Sequence, residues 1–103
     1  MAFWRVKAFA VFDTAAHRDA ARAAVEARGG SATPGTDEEE RPTLRADMDL
    51  ARDEAKARNI RGALRAAHLA GRIVAGTFTL HRCTHDEGPA AWRDCKTLSY
   101  EVG

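Results

Sequence analysis

The residue types best suited to chemistry are gathered near the C-terminal end: His81, Cys83, His85 and Cys95. The first three alternate, so on a strand their side chains share one face, and thiolate and imidazole are the ligands that zinc prefers. Distance limits the set. Alternate strand positions are roughly 7 Å apart and His81 and His85 therefore about 13 Å apart, so one ion would be held by Cys83, Cys95 and a single histidine. The spacing lacks the paired C-x-x-C knuckles of common zinc sites, and a reduced thiol pair or a cross-strand disulfide accounts for the same residues. As a nucleophile, Cys83 would need His81 or His85 as a base and a third group to orient that base. No such group stands nearby, and no glycine-rich turn marks an oxyanion hole. The expectation is a protein that is not an enzyme and needs no cofactor, with a small zinc-binding domain as an alternative.

A second constellation is cationic. Arg58, Arg61, Arg65, His68 and Arg72 follow one another at spacings of three and four, which on a helix makes a stripe able to grip phosphates or an acidic partner. Arg18 and Arg22 are spaced for a second contact one helical turn apart. The same stripe is also what a surface helix shows opposite its apolar seam, with cations favoured near the negative end of the dipole. Neither helix-turn-helix spacing nor a basic run interleaved with aromatics accompanies it. The acidic run Asp37 to Glu40 reads as solvated loop that could neutralise the stripe within the molecule.

These residues need elements to hold them. The pattern predicts one long helix from Asp47 to Gly71, capped by Asp47, with Leu50, Ala57, Ile60, Leu64 and Ala67 as its seam and Gly71 as its left-handed stop. Gly62 is its weak point. Phe3 to Phe12 alternates as a strand, with Trp4, Val6, Ala8, Ala10 and Phe12 on one side and Phe3, Arg5, Lys7, Phe9 and Val11 on the other. Ala15 to Arg28 is a helix begun by Asp13 or Thr14 and ended by Gly29-Gly30, with Ala16, Ala20, Ala23, Ala24 and Ala27 as a small-residue face. Residues 29–42, with Pro34, Gly35 and Pro42, read as a flexible acidic loop, and Thr43 to Ala46 as at most a short edge strand.

The C-terminal part reads as a hairpin. Ile73 to Thr84 places Val74, Phe78 and Leu80 on one face, Trp92 to Val102 places Leu98, Tyr100 and Val102 in phase, and Asp86-Glu87-Gly88-Pro89 turns between them. An antiparallel register that sets Cys83 opposite Cys95 also sets Leu80 opposite Leu98 and Phe78 opposite Tyr100. The expected class is α+β: a single domain over 1–103, a two-layer sandwich of three or four antiparallel strands with two helices on one face. Its order β-α-loop-α-β-β is only loosely ferredoxin-like.

Composition bounds the function. Of 103 residues 22 are alanine and 7 aromatic, so each buried position removes little area from water and the core is thin. The 16 basic and 15 acidic residues nearly cancel, which leaves no global field for nucleic acid or an anionic membrane. No apolar stretch approaches the roughly 18 residues of a membrane span, and Met1 to Phe12 lacks the layout of a signal peptide. A cytoplasmic protein is expected. Thirteen arginines against three lysines, with the alanine excess, fit a high-GC bacterial or phage genome.

The functional expectation is a small interaction or regulatory module that pairs with a second copy. Two helices cover one side of such a sheet, so Phe3, Phe9 and Val11 on the other side are the expected interface. A nucleic-acid-binding module using Arg58, Arg61, Arg65 and Arg72 is the alternative.

Overall fold

Strand pairing organises this chain more than helix propensity does. The computed structural model describes residues 3–83 and 96–102. Its elements are β1 (Phe3–Phe12), α1 (Ala15–Ala27), β2 (Ser31–Thr36), β3 (Pro42–Ala51), α2 (Glu54–Leu69), β4 (Ile73–Cys83) and β5 (Lys96–Val102). The sheet order is β2-β3-β1-β4-β5, with every neighbouring pair antiparallel. The alternating apolar residues of β1 seat it centrally, and Trp4, Val6, Ala8, Ala10 and Phe12 are all buried. Leu44, Ala46 and Met48 of β3 and Ile73, Phe78 and Leu80 of β4 extend that buried layer. Ala21 and Val25 of α1 and Ala57, Ile60 and Leu64 of α2 close it from one side. The fold is thus an α+β two-layer sandwich with both helices on one face. Its first six elements run β-α-β-β-α-β, resembling a ferredoxin-like arrangement, and β5 adds an edge strand beside β4.

Two expectations fail between residues 29 and 53. The stretch from Pro42 to Ala51 is a full strand, and α2 starts only after Asp53, whose carboxylate accepts from the Lys56 N–H at 2.9 Å. Asp47 is therefore a strand residue and caps nothing. Ala, Asp and Met favour a helix or a turn locally, but β3 has a partner on each side, β2 and β1, and buries Leu44, Ala46 and Met48 at period two. Tertiary pairing outweighs propensity here. The expected loop over 29–42 shrinks likewise, because Ser31 to Thr36 is an edge strand, where proline and glycine are tolerated. What remains is the turn at residues 37–41. There the Asp37 carboxylate accepts from the Glu39 and Arg41 backbone N–H groups and from Arg41 Nε.

Smaller corrections follow from packing. α1 buries Ala21 and Val25 while Ala16, Ala20, Ala23 and Ala27 stay exposed, since turning the larger valine inward removes more apolar area from water. In β4 it is Ile73 that faces the core and Val74 that stays exposed, because the register with β1 shifts between Val11 and Phe12. α2 runs unbroken through Gly62, and Gly71, at φ 77°, follows its end as expected. Gly76 is required for a different reason. A methyl group there would lie 2.5 Å from the Phe9 carbonyl oxygen of the neighbouring strand.

Candidate interaction surface

Side chains alternate along a strand, so the residues of β1 that do not enter the core emerge on the sheet face without helices. Phe3, Arg5, Lys7 and Phe9 make that row. Register then sets its neighbours: Arg45 and Thr77 beside Phe9, Asp47 and Thr79 beside Lys7, His81 beside Arg5. Phe9 is 39% exposed and the Arg45 guanidinium lies 5.4 Å from its ring centre. Lys7, Phe9, Arg45, Thr77 and Thr79 surround a shallow depression of about 200 Å³.

The three expected interface residues diverge. Val11 is only 5% exposed, flanked by Thr43 and Ala75, so the chain itself already covers it. Phe3 is partly buried and the Arg52 guanidinium sits 4.5 Å from its ring centre. Phe9 alone of the three stays open. Other large apolar side chains are exposed among the described residues, but Leu69 ends α2 and Val74 sits at the strand irregularity, whereas Phe9 lies in mid-sheet.

The hairpin register agrees with the sequence wherever it is described: Leu80 faces Leu98 and Phe78 faces Tyr100. The last described pair is Arg82 with Lys96. Cys95, on which the expected pairing with Cys83 turns, lies outside the described residues, as do His85 and the expected turn Asp86 to Pro89. His81 is on the open face, and its imidazole titrates below the usual histidine value because burial, then the charges of Arg5 and Lys7, disfavour the protonated ring. Among the described residues no three His, Cys, Asp or Glu side chains are grouped to hold a metal ion.

The helical stripe is largely occupied. Arg58 Nε donates to Glu54 Oε1 at 2.8 Å, and its guanidinium lies over the buried Trp4 ring. Arg61 is half-buried, its Nε shut off from solvent without a hydrogen-bond partner among the described residues. Arg65 and His68 have contacts of their own. Arg72 is exposed. Of the second pair, Arg18 donates to the Gly35 carbonyl at 2.9 Å, tying α1 to the edge strand, and Arg22 pairs with Glu26 at 2.7 Å. Within the acidic turn, Asp37 and Glu39 pair with Arg41.

A groove of about 290 Å³ between the helices is floored by alanines, with His17 and Arg72 among its lining. His17 Nδ1 lies 2.7 Å from Asp13 Oδ1, while the Thr14 hydroxyl accepts from the His17 N–H at 3.1 Å. That arrangement is a variant of the reciprocal helix cap, with the imidazole reaching back to the residue before the cap.

Sequence reading missed the surroundings of Phe9. The row Phe-x-Arg-x-Lys-x-Phe is visible in residues 3–9 as two cations between two aromatics at period two. Arg45 is not visible as its neighbour until 42–51 becomes a strand. Comparison with protein-family models, with curated proteins and with solved structures finds no match for this chain. The surface is therefore read from its own chemistry.

Proposed function

We propose that the protein is a non-enzymatic interaction module and that its working surface is the helix-free face of the sheet. The observation that carries this reading is Phe9, 39% exposed in the middle of the sheet while the other face of the same strand is buried throughout. An aromatic ring held on a rigid strand is an anchor that costs little entropy to immobilise. The groups around it, Lys7, Arg45, Thr77 and Thr79, are cations and hydroxyls, suited to gripping a partner.

Self-association is the simplest form such a contact takes, and two-fold pairing is its commonest geometry. Light scattering over micromolar to near-millimolar protein tests it. A dimer that Phe9→Asp dissociates and Leu69→Asp leaves alone supports the open face as the working surface. A dimer indifferent to Phe9→Asp moves the surface elsewhere and overturns the reading. A monomer at every concentration overturns self-association as the form of the contact.

A further inference from the structure

We infer that the open sheet face packs on the same face of a second copy, with Arg45 of each protomer bound to Asp47 of the other. This rests on the reading of that face as the working surface, and it names the partner and the pairing. The face is mixed in charge. Asp47 neighbours Lys7 and Arg45 neighbours Phe9 across β3 and β1, Asp49 is exposed two positions further along β3, and Glu101 stands at the register position beside Thr77. Such a surface repels a polyanion as well as attracting it. What it fits is a surface that carries both signs at the same spacing, and a second copy supplies one.

The register makes the match specific. Ala46, Ala8 and Phe78 are cross-strand partners buried on the helix side. A two-fold axis that crosses the strands at their level, midway between two stacked sheets, lays β1 on β1 and β3 on β3 in opposite directions. Arg45 then faces the partner's Asp47, Asp47 the partner's Arg45, and Phe9 the partner's Lys7. Around this block Thr77 faces the partner's Thr79, Thr43 the partner's Asp49 and Val11 the partner's Arg5, so no like charges meet. Taking charges out of water is costly unless each meets an opposite one. An axis along the strands between β3 and β1 would instead set Asp47 against the partner's Lys7. The axis across the strands is favoured, because a planar guanidinium holds a carboxylate by two parallel hydrogen bonds and an ammonium does not.

Size and shape agree with this packing. Five strands of six to eleven residues, about 4.8 Å apart, give the face roughly 700 Å², near the about 800 Å² that each partner brings to a standard interface. The depression among Lys7, Phe9, Arg45, Thr77 and Thr79 seats the partner's Phe9 ring against the apolar stem of Lys7.

The test is sedimentation equilibrium of the full chain carrying Arg45→Asp, of the chain carrying Asp47→Arg, and of an equimolar mixture of the two. Each variant alone sets like charges against each other twice across the axis, so each should weaken the dimer on the order of tenfold or more. In a mixed dimer the protomer with two acids meets the protomer with two arginines, both bridges re-form, and association should return to about the wild-type strength. Arg22→Glu, on the exposed side of α1, should leave it unchanged. Circular dichroism verifies that each variant is folded.

A dimer that Phe9→Asp dissociates but the two charge reversals leave alone, or that their mixture does not restore, overturns the pairing and keeps the open face as the working surface. Rescue by mixing Lys7→Asp with Asp47→Arg instead would turn the axis along the strands and overturn the Arg45 contact. A dimer indifferent to Phe9→Asp overturns the face as well as the pairing. A wild type that stays monomeric at every concentration overturns self-association in any form.

Discussion

The guanidinium of Arg58 lies 5.3 Å from the centre of the Trp4 ring, over an indole that is only 4% exposed. A residue that reads in sequence as part of a phosphate-gripping stripe is thus a lid on the core, held in place by Glu54 one turn earlier. Arg58→Ala should destabilise the fold by about 1 kcal/mol, the sum of an exposed cation–π contact and a helical ion pair. Urea unfolding followed by circular dichroism measures it.

Arg61 gives the opposite expectation. Its Nε is shielded from water with no hydrogen-bond partner among the described residues, and an unsatisfied buried donor costs stability that an apolar group of similar reach does not. Arg61→Leu should stabilise the protein by about 1 kcal/mol, read as a raised denaturation midpoint with an unchanged slope. A destabilised variant would mean that the guanidinium finds a partner in solution.

Two glycines should respond in opposite senses to alanine. A methyl on Gly76 would lie 2.5 Å from the Phe9 carbonyl oxygen and 2.9 Å from Ala10 Cα, both backbone atoms of the central strand. Gly76→Ala should therefore cost about 1 to 3 kcal/mol, the usual penalty for overpacking. A methyl on Gly62 meets nothing within 4 Å in the middle of α2. Gly62→Ala should add roughly 0.5 to 1 kcal/mol through helix propensity alone. Thermal unfolding of the pair compares them directly.

Stability should fall on the acid side in two stages. His81 titrates below 6.5 in the fold, through burial and then the charges of Arg5 and Lys7. Between its folded value and 6.5 the unfolded chain binds the extra proton, so stability falls as pH drops through that window, and His81→Gln should flatten this stage. For Asp37, partial burial raises the carboxyl, but hydrogen bonds from the Arg41 backbone and side chain and from the Glu39 backbone outweigh it and leave the group below 3.8. Its contribution is present above 3.8 and is lost as pH falls through the folded value, so Asp37→Asn should remove part of the second stage. Unfolding midpoints measured across acid pH read both.

Much of the fold is written in local patterns. The alternation of residues 3–12 and the period-two match of Phe78 and Leu80 with Tyr100 and Leu98 are visible in the sequence, and the structure pairs them accordingly. The seam Ala57, Ile60, Leu64 and the glycines that follow each helix are equally legible, because helix period and left-handed stops are properties of a few adjacent residues. The hairpin of β2 and β3 is not. Pro34, Gly35 and the acidic run argue locally for loop, and Asp47 to Leu50 continues a helical pattern, so strand structure there arises from the hydrogen bonds and burial that β1 supplies across more than thirty residues of chain. The candidate site follows the same division. Sequence alone sets two aromatics and two cations on one side of β1, since the period of a strand requires it. Which of them stays open was decided by tertiary structure: Thr43 and Ala75 flank a covered Val11, whereas Arg45 and Thr77 border an exposed Phe9, and both outcomes depend on a cross-strand register that no local stretch of sequence contains.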